Sequence, residues 1–524
     1  VKISVKNQRK IAAFIYTLGI LLFFYFRLKN HQYFQNYTDN GYEIEVARAI
    51  VDKGKRPLVG PNLTAKDFFI PPTYPYIMAV FYKITGGNIF GINYCFILLN
   101  LVGITSLSLF FYKKTKNLIL SSLLFLTISN MEAMILEATV IWHPHPTTAF
   151  TFLSLLLLQT AIEKNKFHIF FFGIFSYFIA LSIYLSPIFI IPTIFFITLE
   201  FIKKQKNKKK SIIIILFLSF LAAAIVYLPQ IIFEFKNGFP TILSILNKQT
   251  LSIGEDKNLK ESILGTYLSI KEKLFVNDFT FISIIIFILF NNFYFKKITM
   301  INLISIIFTL IISILFIPGK SWPYRLSFVT LAVVFSIFEI LSKSIKTKKI
   351  IISIISLLFI YLSFKGNWDI NSYIVKNISY TDSWKNIILI SEKIDQLIIE
   401  NNLNREETFI YTPSGELAKD KNEWKNKWKW FTNTYNTLIN IKYNKEPQLS
   451  KNLRIFLVNN KTMLYPGNFI LVCQDKHTDC YENFVLTIKD YNPQKKYSSL
   501  ELKKEYETNL DDKAFTKIYL FKAE

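Results

Sequence analysis

The sequence predicts a polytopic α-helical membrane protein of about eleven spans, followed by a small C-terminal α/β domain. Three observations carry that prediction. Hydrophobic residues make up 51% of the 524 residues while charged residues still reach 19%, so apolar and charged side chains must be segregated along the chain. Apolar runs long enough to span a bilayer recur between residues 11 and 365. The lysines between those runs fall in clusters that alternate with them, so a net charge of +24 reads as a topology signal and not as a nucleic-acid patch. No nucleic-acid partner is expected.

The spanning runs lie near 11–27, 90–112, 117–137, 145–162, 167–184, 186–202, 211–230, 279–295, 298–318, 323–342 and 350–365. The first follows Lys2, Lys6, Arg9 and Lys10 but lacks a small-x-small cleavage site and leads into RLKNHQYF, so it reads as an uncleaved span and not as a signal peptide. With the N-terminus in the cytoplasm, the clusters KKTK (113–116), EKNK (163–166), KKQKNKKK (203–210), KK (296–297) and KSIKTKK (343–349) all fall on the cytoplasmic side. The expected location is the cytoplasmic membrane, with an odd number of spans placing the C-terminal region outside.

Three segments then face outward: 28–89, 231–278 and the tail 366–524. In the first, Ile44, Ala47, Ile50 and Val51 repeat at helical spacing and Gly54 suits a helix stop, which predicts a short amphipathic helix over 41–53. The stretch FFIPPTYPYIMAVFYKITGG is too interrupted by Pro71, Pro72 and Pro75 for a span, and predicts an interfacial helix. The tail is polar, with a helical period over 382–402 and strand-like runs at 408–412, 453–458, 468–473 and 517–522. It reads as an α/β domain over 366–524, separate from a membrane domain over 1–365, and is large enough for its own core. Cys473 and Cys480 would form a small disulfide loop on an oxidising face, whereas Cys95 lies in a span as a buried hydrophobe.

Asp39 is the first candidate for chemistry. It stands between the first span and the amphipathic helix, at headgroup level, where a carboxylate can act as general base on a hydroxyl or amine. The alternative role is to cap the helix that follows, a position aspartate favours. His143 and His145 flank Pro144 in WHPHP; they make a metal site only where a third ligand such as Glu137 or Asp39 converges, and otherwise bind a phosphate or anchor at the interface. No P-loop, dinucleotide or hydrolase-elbow pattern is present, and YTPSGELAK (411–419) lacks the Gly-Lys-Ser/Thr ending of a P-loop.

Four stretches together resemble the GT-C superfamily of polyprenyl-phosphate-sugar-dependent glycosyltransferases. They are DNGYEIEVARAIVDKG, IPPTYPYIMAVFYKITGG, WHPHPTTAFTFLSLLLL and YLPQIIFEFKNGFPTI (227–242). The branch they are most similar to holds the protein O-mannosyltransferases and the aminoarabinose (lipid A) transferase-like proteins, glycosyltransferase family 39. The resemblance covers about 1–345 and is strongest in 37–90. It implies that Asp39 is the catalytic base, taking the acceptor's proton as that nucleophile attacks the anomeric carbon of a lipid-linked sugar with inversion. Asn40 replaces the second acid of the family's Asp-Glu pair, and Glu43, one helical turn on, is read in its place.

The same resemblance implies that an acid in the next outer loop completes the site. Of Glu132 and Glu137, Glu137 lies closer to the expected boundary, with a solvated loop carboxylate as the plain alternative. Tyr42, Tyr74, His143 and His145 are assigned to substrate binding, His143 with Asp39 and Glu137 making a polar floor for a sugar. The donor phosphate needs a cation, for which Arg325 and Lys320 in GKSWPYRLSF are named and Lys236 is a weaker choice. No cofactor is called for and a divalent metal is not the favoured reading. The implied partners are a polyprenyl-phosphate-linked sugar, membrane lipids, and a lipid, glycan or protein acceptor. A transporter or flippase is the rival class, disfavoured because no internal repeat is found and charge gathers at one interface; a structural envelope protein is the third.

Overall fold

The computed structural model describes residues 5–29, 31, 40–61, 69–246, 283, 286–288, 327–365, 384–403, 408–411, 467–474, 500–511 and 514–523. The helices over the first half are α1 (Val5–Leu28), α2 (Asn40–Lys53), α3 (Thr73–Thr85), α4 (Ile89–Thr115), α5 (Leu118–Ser129), α6 (Glu132–Thr139), α7 (Pro146–Lys164) and α8 (Phe167–Ile183). A 3-10 turn at Ser186–Ile190 leads into α9 (Ile191–Lys203), then α10 (Lys208–Asn237) and α11 (Pro240–Leu246). Further on come α12 (Ser327–Lys346), α13 (Ile350–Lys365) and α14 (Trp384–Glu400).

Among the described residues, Val5–Leu28, Ile89–Thr115, Ser186–Lys203 and Lys208–Asn237 are long and apolar enough to cross a membrane, and Leu118–Ser129, Phe167–Ile183 and Ile350–Ile360 are shorter apolar helices. The chain is an integral multi-pass membrane protein. The expected runs at 279–295 and 298–318 lie outside the described residues save for isolated positions.

Local chemistry sets the ends. Asn88 and Asn117 cap α4 and α5 by accepting the N–H of Gly91 and Leu120. Gly86, with φ of 61°, closes α3 in the left-handed conformation. Gly103 lets α4 lie directly on α7, since a Cβ there would stand 2.6 Å from Ala149 Cα. The main core joins α1, α4, α5, α7, α8, α9 and α12, with Phe23, Phe111, Phe125 and Phe338 fully buried. A second, smaller core holds α2 and α3 against α4 and α8 through Ile44, Tyr74, Met78 and Phe96.

Two boundaries differ from expectation. The run 117–137 is not one helix: α5 stops at Ser129 and α6 starts at Glu132. Asn130 turns its amide back onto the carbonyl of Leu126 at 2.7 Å, the competition with the backbone that ends a helix. The seventh run does not end at 230 either. α10 continues through Pro229 to Asn237 and is closed by Gly238 at φ of 73°, so the connection expected from 231 starts after the helix ends at Asn237.

Among the described residues the tail forms a four-stranded sheet, β1 (Thr408–Tyr411), β2 (Gly467–Gln474), β3 (Leu500–Asp511) and β4 (Ala514–Ala523), in the order β1-β2-β4-β3. β1 runs parallel to β2, and β4 is antiparallel to both β2 and β3. α14 buries Ile387, Ile390, Ile394 and Leu397 at helical spacing. The expected strand at 453–458 and Cys480, half of the expected disulfide, lie outside the described residues.

Candidate active site

Two ends of the bundle carry polar clusters of different kinds. At one, Lys113 and Lys116 of α4 both reach Glu163 at the end of α7, Lys114 reaches Glu339 of α12, and Lys346 of α12 donates to Thr115 O at 2.9 Å. Three of the lysine clusters read in the sequence thus share one end.

At the other end α2, α3 and the α6–α7 turn converge. Glu43 sits on the first turn of α2 and is buried. Its Oε2 accepts the Tyr74 hydroxyl at 2.8 Å, and its Oε1 accepts His143 Nδ1–H at 2.8 Å and the His143 backbone N–H at 3.4 Å. Because a carboxylate oxygen only accepts, Nδ1 carries the hydrogen. The imidazole lies edge-on or tilted to Trp142, Tyr184 and Tyr74, with centroids 5.7, 5.8 and 6.0 Å away. The turn itself is held by Asn93, which donates to Thr139 O at 2.7 Å, and by His145 Nδ1, 2.8 Å from Val140 O.

Beside it α2 and α3 share a second cluster. Arg48 pairs with Glu45 at 3.2 Å and with Asp52 at 3.4 Å, and Tyr82 donates to Asp52 at 3.3 Å. Burial pushes the Glu45 carboxyl up to about 7, against the pull of Arg48. The Tyr82 phenol is pushed up to about 12, first by burial and then by the Asp52 charge. A third anchor is Arg27 at the end of α1, fully buried over the Phe23 ring at 3.7 Å. It donates to Asn100 Oδ1 at 3.3 Å and Met134 O at 3.0 Å, and it feels the charge of Glu137.

Of the residues singled out from the sequence, Glu43, Tyr74 and His143 are brought into direct contact. Glu137 is not the solvated loop carboxylate of the plain reading: it is buried on α6, on the Arg27 side. His145 lies in the same turn as His143 but its Nδ1 is turned to the backbone. Asp39, Lys320 and Arg325 lie outside the described residues, as does the Tyr42 side chain, although Tyr42 itself is in α2. No group of three or more metal-ligating side chains occurs among the described residues. Sequence reasoning passed over Arg27, Arg48 and Asn100, whose only signal was a charge or amide inside or beside an apolar run. It also passed over Glu234 of α10, which is buried with neither carboxylate oxygen hydrogen-bonded among the described residues.

No family model matches the chain, and no curated protein matches its sequence. Solved structures do match. The crystal structure of ArnT from Cupriavidus metallidurans bound to undecaprenyl phosphate is similar over 97% of both chains, with a TM-score of 0.58 at 10% identity. The apo structure of the same protein gives a TM-score of 0.55 over the same share at 10% identity. The chain has the ArnT fold. At that identity the agreement is one of architecture alone.

Proposed function

We propose that the protein is an inverting membrane glycosyltransferase that takes its sugar from a polyprenyl-phosphate donor. The observation that supports this most is the buried Glu43–His143–Tyr74 constellation on a chain with the ArnT fold, since the solved ArnT is bound to undecaprenyl phosphate. Buried carboxylate and imidazole held by named partners are costly beside a membrane and point to a chemical task.

In this reading Asp39, one residue before α2 begins, is the general base. It takes the proton of an acceptor hydroxyl or amine as that atom attacks the anomeric carbon from the face opposite the phosphate. The C1–O bond to phosphate breaks with its electron pair on oxygen, the configuration inverts, and polyprenyl phosphate leaves. Glu43 orients His143, while Tyr74 and Tyr42 belong to the substrate wall; Glu137 supports the site through Arg27. Lys320 and Arg325 are proposed to meet the phosphate. The acceptor is a lipid, glycan or protein on the outer side of the cytoplasmic membrane. A lipid carrier is needed there because nucleotide sugars are cytosolic. The tail 366–524 is proposed to lie on that outer side as well.

The test is acceptor-dependent release of polyprenyl phosphate by the full chain in nanodiscs, supplied with the lipid-linked sugars and membrane acceptors of its own host. Release with a covalent glycosylated product is expected, and Asp39→Asn should lower it by about 100-fold or more. Movement of the lipid-linked sugar between leaflets without any covalent product would instead make the protein a flippase.

A further inference from the structure

Arg27, Arg48 and His143 are all buried near the α2–α3 end, and they are not equally engaged. Arg27 is fully buried and its two terminal nitrogens reach Phe23 O, Asn100 and Met134 O. Arg48 is spent between Glu45 and Asp52. His143 differs. One edge of its ring is fixed, because Nδ1 and the backbone N–H of the same residue both donate to Glu43 Oε1. The opposite nitrogen, Nε2, has no hydrogen-bond partner among the described residues, although the side chain is only 9% exposed.

A ring nitrogen pinned from behind and unmatched in front, at the accessible edge of an otherwise buried ring, is open to a ligand's acceptor. When the ring is protonated, Nε2 becomes a donor and Glu43 balances the ring charge. An incoming anion then meets an overall neutral pair with an N–H directed at it. Two further features lie at this turn. α7 starts three residues after His143 with no side-chain cap, leaving the positive end of its dipole at this turn. In its first turn Thr147 is fully buried with Oγ1 unpartnered among the described residues.

We propose that His143, held by Glu43, is a phosphate-binding group: its Nε2–H donates to a phosphate oxygen of the polyprenyl-phosphate donor and of the polyprenyl phosphate product. The assignment rests on the glycosyltransferase reading above and gives that site a phosphate ligand that the sequence looked for at Lys320 and Arg325. As the C1–O bond breaks, the phosphate passes from a monoanionic diester to a dianionic monoester, so this hydrogen bond strengthens along the reaction and no proton need cross it. Glu43 acts through His143 and is a positioning residue.

The test compares two ligands that differ only in the phosphate, undecaprenyl phosphate and undecaprenol, binding to the full chain in nanodiscs. The wild type is expected to prefer the phosphate by about 100-fold or more, and His143→Gln to cut that preference about tenfold while leaving undecaprenol affinity unchanged. Glu43→Gln, which keeps the shape but loosens the ring, should cut it about threefold, and His143→Asn serves if the glutamine variant does not fold. A folding defect would lower both ligands together, so the ratio separates the two effects. Inorganic phosphate at equal concentration should not compete. Competition would assign the site to free phosphate and overturn the lipid assignment. An unchanged ratio in folded His143 variants overturns the proposal and leaves the glycosyltransferase reading intact, whereas a wild type indifferent to the phosphate removes both.

Discussion

The Glu163 cluster at the lysine end and the Glu43 cluster at the histidine end of this bundle use their charges in opposite ways. Around Glu163 the charges are partly exposed and shared: two lysines serve one carboxylate, and Lys116 remains 66% exposed. Around Glu43 each group has a specific partner and almost no exposure. Charges of the first kind are interchangeable and contribute little to stability, because solvent replaces any lost partner. Those of the second kind are not, because a lost partner leaves a buried donor or acceptor unmatched. The difference separates a surface whose task is to be basic from one whose task depends on geometry.

The sharpest way to break that contrast is Glu43→Ala. It removes one acceptor from three donors at once, the Tyr74 hydroxyl and two N–H groups of His143. Transfer should fall at least about 100-fold and stability by about 2–4 kcal/mol, read as product formation and a denaturation midpoint. A variant with near-normal turnover would place Glu43 with the interchangeable charges. Next in size is Arg27→Met, which leaves Asn100, Met134 O and Glu137 without their guanidinium and should cost about 3 kcal/mol. Adding Glu137→Gln should recover part of that loss; a full additive penalty would show the two residues to be independent.

The third effect is a pH slope. Glu45 has its carboxyl raised from 4.5 to about 7 by burial. The folded state therefore holds that proton more tightly than the unfolded chain, and the stability it contributes is complete below about 4.5 and is lost as pH rises through about 7. The wild-type midpoint should drop between pH 5 and pH 8 by an amount on the order of 1–3 kcal/mol, and Glu45→Gln should flatten that slope. An equal slope in the variant would assign the pH response elsewhere. The smallest effect belongs to the Glu163 cluster: Glu163→Ala should change stability by about 1 kcal/mol or less and leave turnover unchanged. A large loss there would erase the distinction between the two clusters.

Much of this organisation is legible in the sequence, and the exceptions have physical causes. α1, α4 and α10 are long apolar runs, and hydropathy alone finds them. The amphipathic period of α2 correctly buries Ile44 and Ala47 and stops at Gly54, whose φ is 62°. The split at Asn130 is hidden because a hydropathy window averages across one amide that folds back on its own turn. Strand β3, LELKKEYETNLD, has weak apolar alternation, as suits a strand paired among the described residues with β4 alone. At the candidate site, the family resemblance marked Glu43 and Tyr74, and the WHPHP stretch marked His143, each individually. Their union was not readable, since Glu43 and His143 stand 100 positions apart and meet only once α2 is packed on the bundle. Arg27 was passed over because it ends an apolar run, where an arginine ordinarily reaches up to the interface and here instead turns inward.

The most direct test of the central claim is mass spectrometry of envelope glycans and lipids from a host strain lacking this chain, complemented with wild type or with Asp39→Asn. One glycan or lipid is expected to lose a single sugar residue in the deletion, to regain it with the wild type, and to stay short with Asp39→Asn present at normal level in the membrane. Full restoration by Asp39→Asn, or a deletion that leaves every glycan and lipid unchanged, would contradict the account.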